Sequence, residues 1–464
     1  MAGTREGAVA RATAAFDSGA FRETLAVLVA IPSTSQEEAH RADLDRYLGG
    51  ALRDWLARLG FAVTIHPNPS PGMGPILVGI RSEGAGLPTV ITYGHGDTVR
   101  GLPEQWSDGL DPWRLTDRDG RWYGRGTADN KGQHALNLAA LEAVLAERGR
   151  LGFNLKLVIE TAEERGSQGL REFVAAHRGL LAADVLIGSD GPRVMPDVPT
   201  ICTGTRGTFH FDLAVRLRAG GVHSGHWGGL TRDPAIILAH ALAAIMDRNG
   251  RILVPGWTPE GGMPEAVKAV LDGCPLGGGG EAATIDEGWG EPGLTPAEKV
   301  YGWNSFIVLA MLSGKPDGPA NAVAPDAWAH CQIRYTVDTD PAAFEPALRR
   351  HLDAQGFPEV RIERPGSRMP ASRTDPGHPW VRFAAASIAR TLNRLPQVIP
   401  NSSGGLPGDV FVDHLGVPLL WIPHSYTGCK QHGPDEHVIP ATLREGLALM
   451  AGLWWDIGEG GAPR

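Results

Sequence analysis

Two periods of apolar spacing alternate along this chain. Residues 8–30 place Val9, Phe16, Phe21, Leu25, Leu28 and Val29 at a spacing near 3.6, which predicts one or two helices. Ile31-Pro32-Ser33-Thr34-Ser35 breaks that pattern, and 37–59 is a second amphipathic helix stopped by Gly60. Strands are predicted at 62–65, 76–80 and 89–93, and a helix at 135–148 after Gly132. Residues 155–159 and 185–187 are apolar without interruption, as strands covered on both faces are. Alternating strand and helix predicts an α/β fold: a mostly parallel central sheet flanked by helices, with ligands on the loops at strand ends.

The character changes near Cys202. Phe209, Phe211, Leu213, Val215 and Leu217 alternate along 207–217, which predicts a strand with one face covered. A helix opens at Asp233-Pro234 and is expected to run to Asn249-Gly250; another is expected at 341–355, between strands at 327–337 and 359–364. That β-α-β-β-α-β outline predicts an inserted α+β, ferredoxin-like module, interrupted by a Gly- and Pro-rich stretch at 255–300 whose glycines 277–280 are expected to form a flexible loop. After Asp375-Pro376-Gly377 the first character returns, with a helix at 380–393, a strand at 419–422 and a last helix at 440–455. The expected division is 1–201 and 373–464 in one catalytic domain, with 202–372 inserted.

A chain of 464 residues is too long for one ordinary core, which agrees with two domains. Hydrophobic content of 42% and charged content of 20% are those of a globular protein. The net charge is −9 and the basic residues are scattered, so nucleic acid is excluded as an expected partner. No run is long enough to span a membrane, and Met1–Glu6 lacks the apolar core of a signal peptide. Cys202, Cys274, Cys331 and Cys429 lie far apart without a Cys-x-x-Cys spacing and read as reduced thiols. A cytoplasmic enzyme is expected.

The chemistry begins at Ile91–Val99, where the strand stops at Gly94 and His95 and Asp97 follow. On extended backbone they point to one side, so His95 can offer one ring nitrogen to a metal while Asp97 holds the other. Gly126-Thr127-Ala128-Asp129-Asn130-Lys131-Gly132, Glu160-Thr161-Ala162-Glu163-Glu164, Ile187-Gly188-Ser189-Asp190 and Gln431-His432-Gly433 then follow in order, each closing an apolar run or opening a helix. Glu163 and Glu164 are adjacent; in an extended segment their side chains would diverge, one toward metal and one toward water.

These five ordered motifs resemble the M20 family of dinuclear metallopeptidases over nearly the whole chain, closest to its carnosinase-like dipeptidase branch. The resemblance implies two divalent cations, zinc first, with manganese or cobalt as alternatives. His95, Asp129 and Asp190 would hold one; Asp129, Glu164 and His432 the other, with Asp129 bridging and the Asp129–Asn130 peptide cis. Glu163 matches the family's general base, which activates a metal-bridging water, and Asp97 supports the site. His223, in Gly220-Gly221-Val222-His223-Ser224-Gly225, matches a histidine that crosses a dimer interface made by the inserted module to stabilise the partner's oxyanion. Asn321 and Arg334 match a substrate-contacting pair, and Gly404-Gly405 a loop whose amides receive a substrate carboxylate.

The same resemblance places Asp at position 190 in dipeptidase and aminopeptidase branches and Glu in deacylases, so Asp190 favours cleavage of dipeptides or small peptide-like amides by a homodimer. An amidohydrolase of N-acyl amino acids or another small amide is the alternative. A member that kept the fold and lost catalysis is disfavoured, because every expected ligand and the base are present.

Overall fold

The structure, a computed structural model, describes residues 3–276 and 284–463. The loop expected at 277–280 lies outside them. The apolar runs become two sheets. In chain order their strands are β1 (Ala62–His66), β2 (Ile76–Arg81), β3 (Thr89–His95), β4 (Asn154–Glu160), β5 (Val185–Gly188), β6 (Thr200–Cys202), β7 (Gly207–Arg216), β8 (Ser305–Ser313), β9 (Asp326–Tyr335), β10 (Arg361–Met369), β11 (Gln397–Ile399) and β12 (Leu419–Trp421).

The first sheet has eight strands in the order β1-β2-β4-β3-β5-β12-β6-β11. It is mixed, where a mostly parallel sheet was expected. The centre, β4-β3-β5-β12, is parallel, as is the β6–β11 pair. The hairpin β1–β2, the β2–β4 pair and the single-residue β12–β6 contact are antiparallel. Successive residues serve opposite faces: Val90, Leu155, Leu157 and Ile187 join one buried cluster, and Ile91, Tyr93, Val158 and Leu186 join another. Helices Arg5–Asp17, Lys131–Arg148, Pro379–Leu392 and Pro440–Asp456 cover the first face. The buried Arg5–Asp456 ion pair, 2.9 Å, ties the first of these helices to the last.

The second sheet is antiparallel, ordered β8-β9-β7-β10. With helices Pro234–Ile245 and Phe344–Ala354 between its strands it has the β-α-β-β-α-β connectivity expected. Phe209, Phe211, Leu213, Ile333, Leu238 and Phe344 form its own apolar cluster under those helices. The Gly/Pro-rich stretch is divided between clusters: Trp257 packs under the second sheet, whereas Val267, Leu271, Ala297 and Tyr301 pack with Ile399 and Leu419 of the first.

Three elements differ from the pattern reading. The helix expected at 37–59 forms without a break from Glu38 to Arg58, but its winding is not uniform: a 3-10 turn at Glu38–His40, α-helix at Arg41–Arg46 and Arg53–Arg58, and between them a π-helical turn at Tyr47–Leu52 that contains Gly49-Gly50. The helix expected to reach Asn249 ends at Ile245, because the Asp247 carboxylate accepts from the Asn249 and Arg251 amides and turns the chain back. Strand β8 had no residue-level forecast; its run Phe306–Leu312 neither alternates nor carries helix caps. All four cysteines are unpaired.

Candidate metal centre

Three adjacent parallel strands deliver the acidic and imidazole side chains to one end of the first sheet. His95 is the last residue of β3; Glu163 and Glu164 follow β4, its neighbour on one side; Asp190 follows β5, its neighbour on the other. Asp129 comes from the loop before helix Lys131–Arg148, and His432 from the turn after β12. This is where ligands collect in α/β sheets. A Cβ at Gly94 would stand 2.8 Å from the His134 Cβ, so a glycine lets β3 lie against that helix just before His95.

The ligand atoms of His95, Asp129 and Asp190 lie within 4.8 Å of one another, and so do those of Asp129, Glu164 and His432. Asp129 belongs to both groups. Its Oδ1 is 2.9 Å from His95 Nε2 and its Oδ2 is 3.1 Å from His432 Nε2, which is also 3.1 Å from Glu164 Oε2. Asp190 Oδ2 is 3.7 Å from His95 Nε2 and, though buried, has no hydrogen-bond partner among the described residues. The set therefore fits divalent cations: each group has one imidazole and two carboxylates and no thiolate, and the first also keeps the buried Asp190 oxygen left over. Burial pushes Glu164 up to about 7 and Asp190 up to about 6, with the Asp129 charge adding to both. Hydrogen bonds to Asp129 and Glu164 raise His432 to about 11. Protons and cations thus compete for the same lone pairs.

Glu163 and Glu164 lie in a single 3-10 turn, Glu163–Arg165, rather than the extended segment expected. Their side chains still diverge: Glu163 Oε2 is 4.0 Å from His95 Nε2, while Glu164 reaches His432. Asp97 explains the turn. Its carboxylate accepts from the backbone amides of Glu163 (3.2 Å) and Glu164 (3.1 Å), and lies 3.4 Å from His95 Nδ1. His95 Nδ1 is closer, at 3.0 Å, to the Asp97 carbonyl oxygen, so backbone and carboxylate share the task expected of the carboxylate alone.

The Asp129–Asn130 peptide is cis, as the resemblance implied. Asn130 donates to the Ser189 carbonyl at 2.8 Å, and its oxygen faces His134 Nδ1 at 3.0 Å; His134 Nε2 meets the Tyr47 hydroxyl at 2.7 Å. Glu436 holds the other side of the loop. It accepts from the amides of Gly126, Ala128 and Asp129 and from Arg125 Nη1 at 2.8 Å, all of them buried or nearly so. His432 itself has φ 64°, a conformation unfavourable for a residue with a side chain, in a turn pinned by Asp435 accepting from Ser107. Glu436, Arg125, Tyr47 and His134 were not singled out by the sequence reading. Glu436 stands only four residues after His432, but its work is on backbone amides, which leave no residue pattern.

Asp129, Glu163, Asp190 and His432 line a cavity of about 330 Å³ together with Arg334 of β9, Gly404 and Gly405. A Cβ at Gly405 would collide with the Met369 sulfur. His223 and Asn321 are elsewhere. They lie on a short exposed ribbon where His223 pairs with Ala322 and Ser224 N donates to Asn321 O; His223 stacks on His226. The single chain thus brings Arg334, Gly404 and Gly405 to the cluster and leaves His223 and Asn321 outside it.

The chain is similar to known proteins over most of its length. A cysteinylglycine-S-conjugate dipeptidase of Corynebacterium striatum is 30% identical over 403 residues, covering 84% of this chain and 85% of the relative. A Beta-Ala-His dipeptidase of Homo sapiens is 35% identical over 479 residues, covering 95% and 90%. The solved structure of the di-peptidase Dug1p from Saccharomyces cerevisiae has the same fold, with a TM-score of 0.77 at 20% identity over 98% of this chain and 99% of that one. The description of peptidase family M20/M25/M40 matches residues 91–456, a span that includes every member of the carboxylate–imidazole cluster. On that match, and on the 30% and 35% identity of two relatives over most of their length, the chain belongs to peptidase family M20/M25/M40.

Proposed function

We propose that the chain is a dinuclear metallo-dipeptidase, with zinc as the first choice of metal and manganese or cobalt as alternatives. The observation that carries this reading is Asp129, whose two carboxylate oxygens face different groups, His95 with Asp190 on one side and Glu164 with His432 on the other. Two cations held there would polarise the scissile carbonyl and make a shared water more acidic. Glu163 lines the same cavity and is the general base: its carboxylate takes the proton of the attacking water and passes it to the leaving nitrogen. Without cations, burial and the nearby Glu164, Asp190 and Asp129 hold its carboxyl well above the ordinary range; cations held by those residues would offset that push and leave it free to take a proton.

Arg334 and the amides of Gly404 and Gly405 take the substrate's carboxylate. A cavity of about 330 Å³ is at the small end for ligand clefts, and a dipeptide suits it. Asp190 in place of a longer Glu leaves room beside the metal for a free amine. The similarity to a cysteinylglycine-S-conjugate dipeptidase and a Beta-Ala-His dipeptidase points the same way. His223 and Asn321 reach the site of a second subunit, in a homodimer built through the module at 202–372. Exposed apolar side chains on the edge strand β8 (Leu309, Met311, Leu312) and at Trp227 and Leu230 support an interface there.

The test is to assay the metal-loaded enzyme on a panel of dipeptides and of N-acetyl amino acids. Turnover of dipeptides with little of the acylated compounds is expected. The reverse preference would overturn the dipeptidase reading in favour of an amidohydrolase.

A further inference from the structure

The face of the second sheet opposite its helices carries a connected row of polar side chains that ends in the cavity. In register, Asp212 lies opposite His330, His210 opposite Gln332 and Thr208 opposite Arg334. His330 Nδ1 is 2.6 Å from Asp212 Oδ1, and its Nε2 is 3.2 Å from His210 Nδ1. His210 Nε2 is 3.0 Å from the Gln332 amide nitrogen, and Gln332 Oε1 accepts from Arg334 Nε at 3.2 Å. Arg364 and His330 both bind the Asp212 carboxylate, which is 1% exposed. Burial pushes that carboxyl up, but hydrogen bonds from His330, Arg364 and Trp328 outweigh it and leave it below its ordinary value.

An ionised carboxylate only accepts, and this fixes every link after it. His330 must carry its proton on Nδ1, so its Nε2 accepts. His210 must then carry its proton on Nδ1, so its Nε2 also accepts. The nitrogen of Gln332 must face His210, and its oxygen is left for the Nε–H of Arg334. With both rings neutral, no other arrangement satisfies all four contacts.

We propose that Asp212, His330, His210 and Gln332 form a positioning relay that fixes which edge of the Gln332 amide meets Arg334, and thereby aims the guanidinium at a substrate carboxylate in the metal-lined cavity. This rests on the reading of Arg334 as the carboxylate contact. None of the four touches the reacting atoms. Asp212→Asn keeps the shape of the first residue but can donate to His330 Nδ1. That reverses each later link and turns the Gln332 nitrogen toward Arg334, donor against donor. Gln332→Leu removes the last link outright.

The experiment uses the full-length, metal-loaded enzyme and one dipeptide in two forms, with a free C-terminal carboxylate and as the C-terminal amide. The readout is the ratio of kcat/KM for the two forms. Arg334→Ala is expected to lower that ratio at least tenfold. Asp212→Asn and Gln332→Leu should each lower it roughly three- to tenfold, mainly through KM for the carboxylate form, and neither should lower it further in the Arg334→Ala background. A merely structural role would depress both substrates together and would do so with or without Arg334; that result overturns the relay. So does a wild-type ratio in Asp212→Asn and Gln332→Leu beside a lost ratio in Arg334→Ala. An unchanged ratio in Arg334→Ala overturns the carboxylate reading of Arg334 and the relay with it. Should Asp212→Asn fail to fold, His330→Phe takes its place: it breaks the relay upstream of Gln332, and a wild-type ratio in it overturns the relay.

Discussion

Glu163 and Glu164 are sequence neighbours with different surroundings, and the difference decides what their loss should do. Glu163→Gln keeps the size of the side chain and should leave metal content unchanged while turnover falls at least ~10²-fold, the scale of general acid–base catalysis. Asp129→Ala should lose bound metal, as elemental analysis of the purified variant would show; normal metal content would reverse the assignments of base and bridge. Glu160, one residue beyond the apolar run of β4, gives a prediction about stability. Burial pushes its carboxyl up to about 7 despite hydrogen bonds from Tyr93 and Ser167, against an ordinary value of 4.5. The folded state therefore keeps this proton to higher pH than the unfolded state, and stability falls as pH rises from about 4.5 to about 7. Glu160→Gln has no charge to bury. In metal-free protein its melting temperature should match wild type near pH 4.5 and exceed it at pH 8, by about 2–3 kcal/mol in stability; an equal gap at both pH values would contradict the burial argument. His95, Glu163, Glu164 and Asp190 were legible in the sequence because they close or follow apolar runs; Asp129 and His432, in a loop and a turn, were legible only through the order of the motifs. Glu436 and the Tyr47–His134 pair were not, because amide acceptors and buried hydrogen bonds between distant segments leave no spacing to read.

The loop from Arg125 to Asp129 depends on an element more than 300 residues away. Glu436→Ala would leave three buried amides and the Arg125 guanidinium without their acceptor. Losing one partner of a buried ion pair costs about 3–5 kcal/mol, and losing support behind a ligand weakens metal binding ~10–100-fold. Thermal melts and metal titration of Glu436→Ala should show both losses, whereas wild-type behaviour would mean the loop holds itself. At this scale the sequence was informative where apolar period and punctuation agreed. The β-α-β-β-α-β module and the final helix are of that kind, whereas the pattern over 8–30 left open one helix or two, and the chain divides it at Ser18-Gly19. It was misleading where a turn forms through a side chain, as Asp247 does in ending the helix at Ile245. It was silent where an apolar run, as in β8, fits either period. The antiparallel strands of the first sheet were also hidden, because the order in which strands pair is set by long-range packing.

At the scale of the whole molecule, the single chain leaves His223 and Asn321 exposed and away from the cavity that the sequence assigned them to. The proposed homodimer, with a site shared between subunits, would reconcile the two. Mixed dimers of Glu163→Gln and His223→Ala subunits should recover up to half of wild-type activity per dimer, since one of the two sites then has an intact base and an intact donated histidine. If His223 serves its own subunit or only packs, the hybrid stays as inactive as its parents. The division at 255–300 was also beyond the sequence: a Gly- and Pro-rich stretch shows where regular structure stops, not which core its few apolar residues join. All of these readings depend on metal at the Asp129-centred cluster. The most direct measurement is dipeptide hydrolysis by chelator-stripped protein during titration with Zn²⁺, Mn²⁺ or Co²⁺. Activity should be abolished by stripping and return as about two equivalents bind; full activity in exhaustively metal-free protein would contradict it.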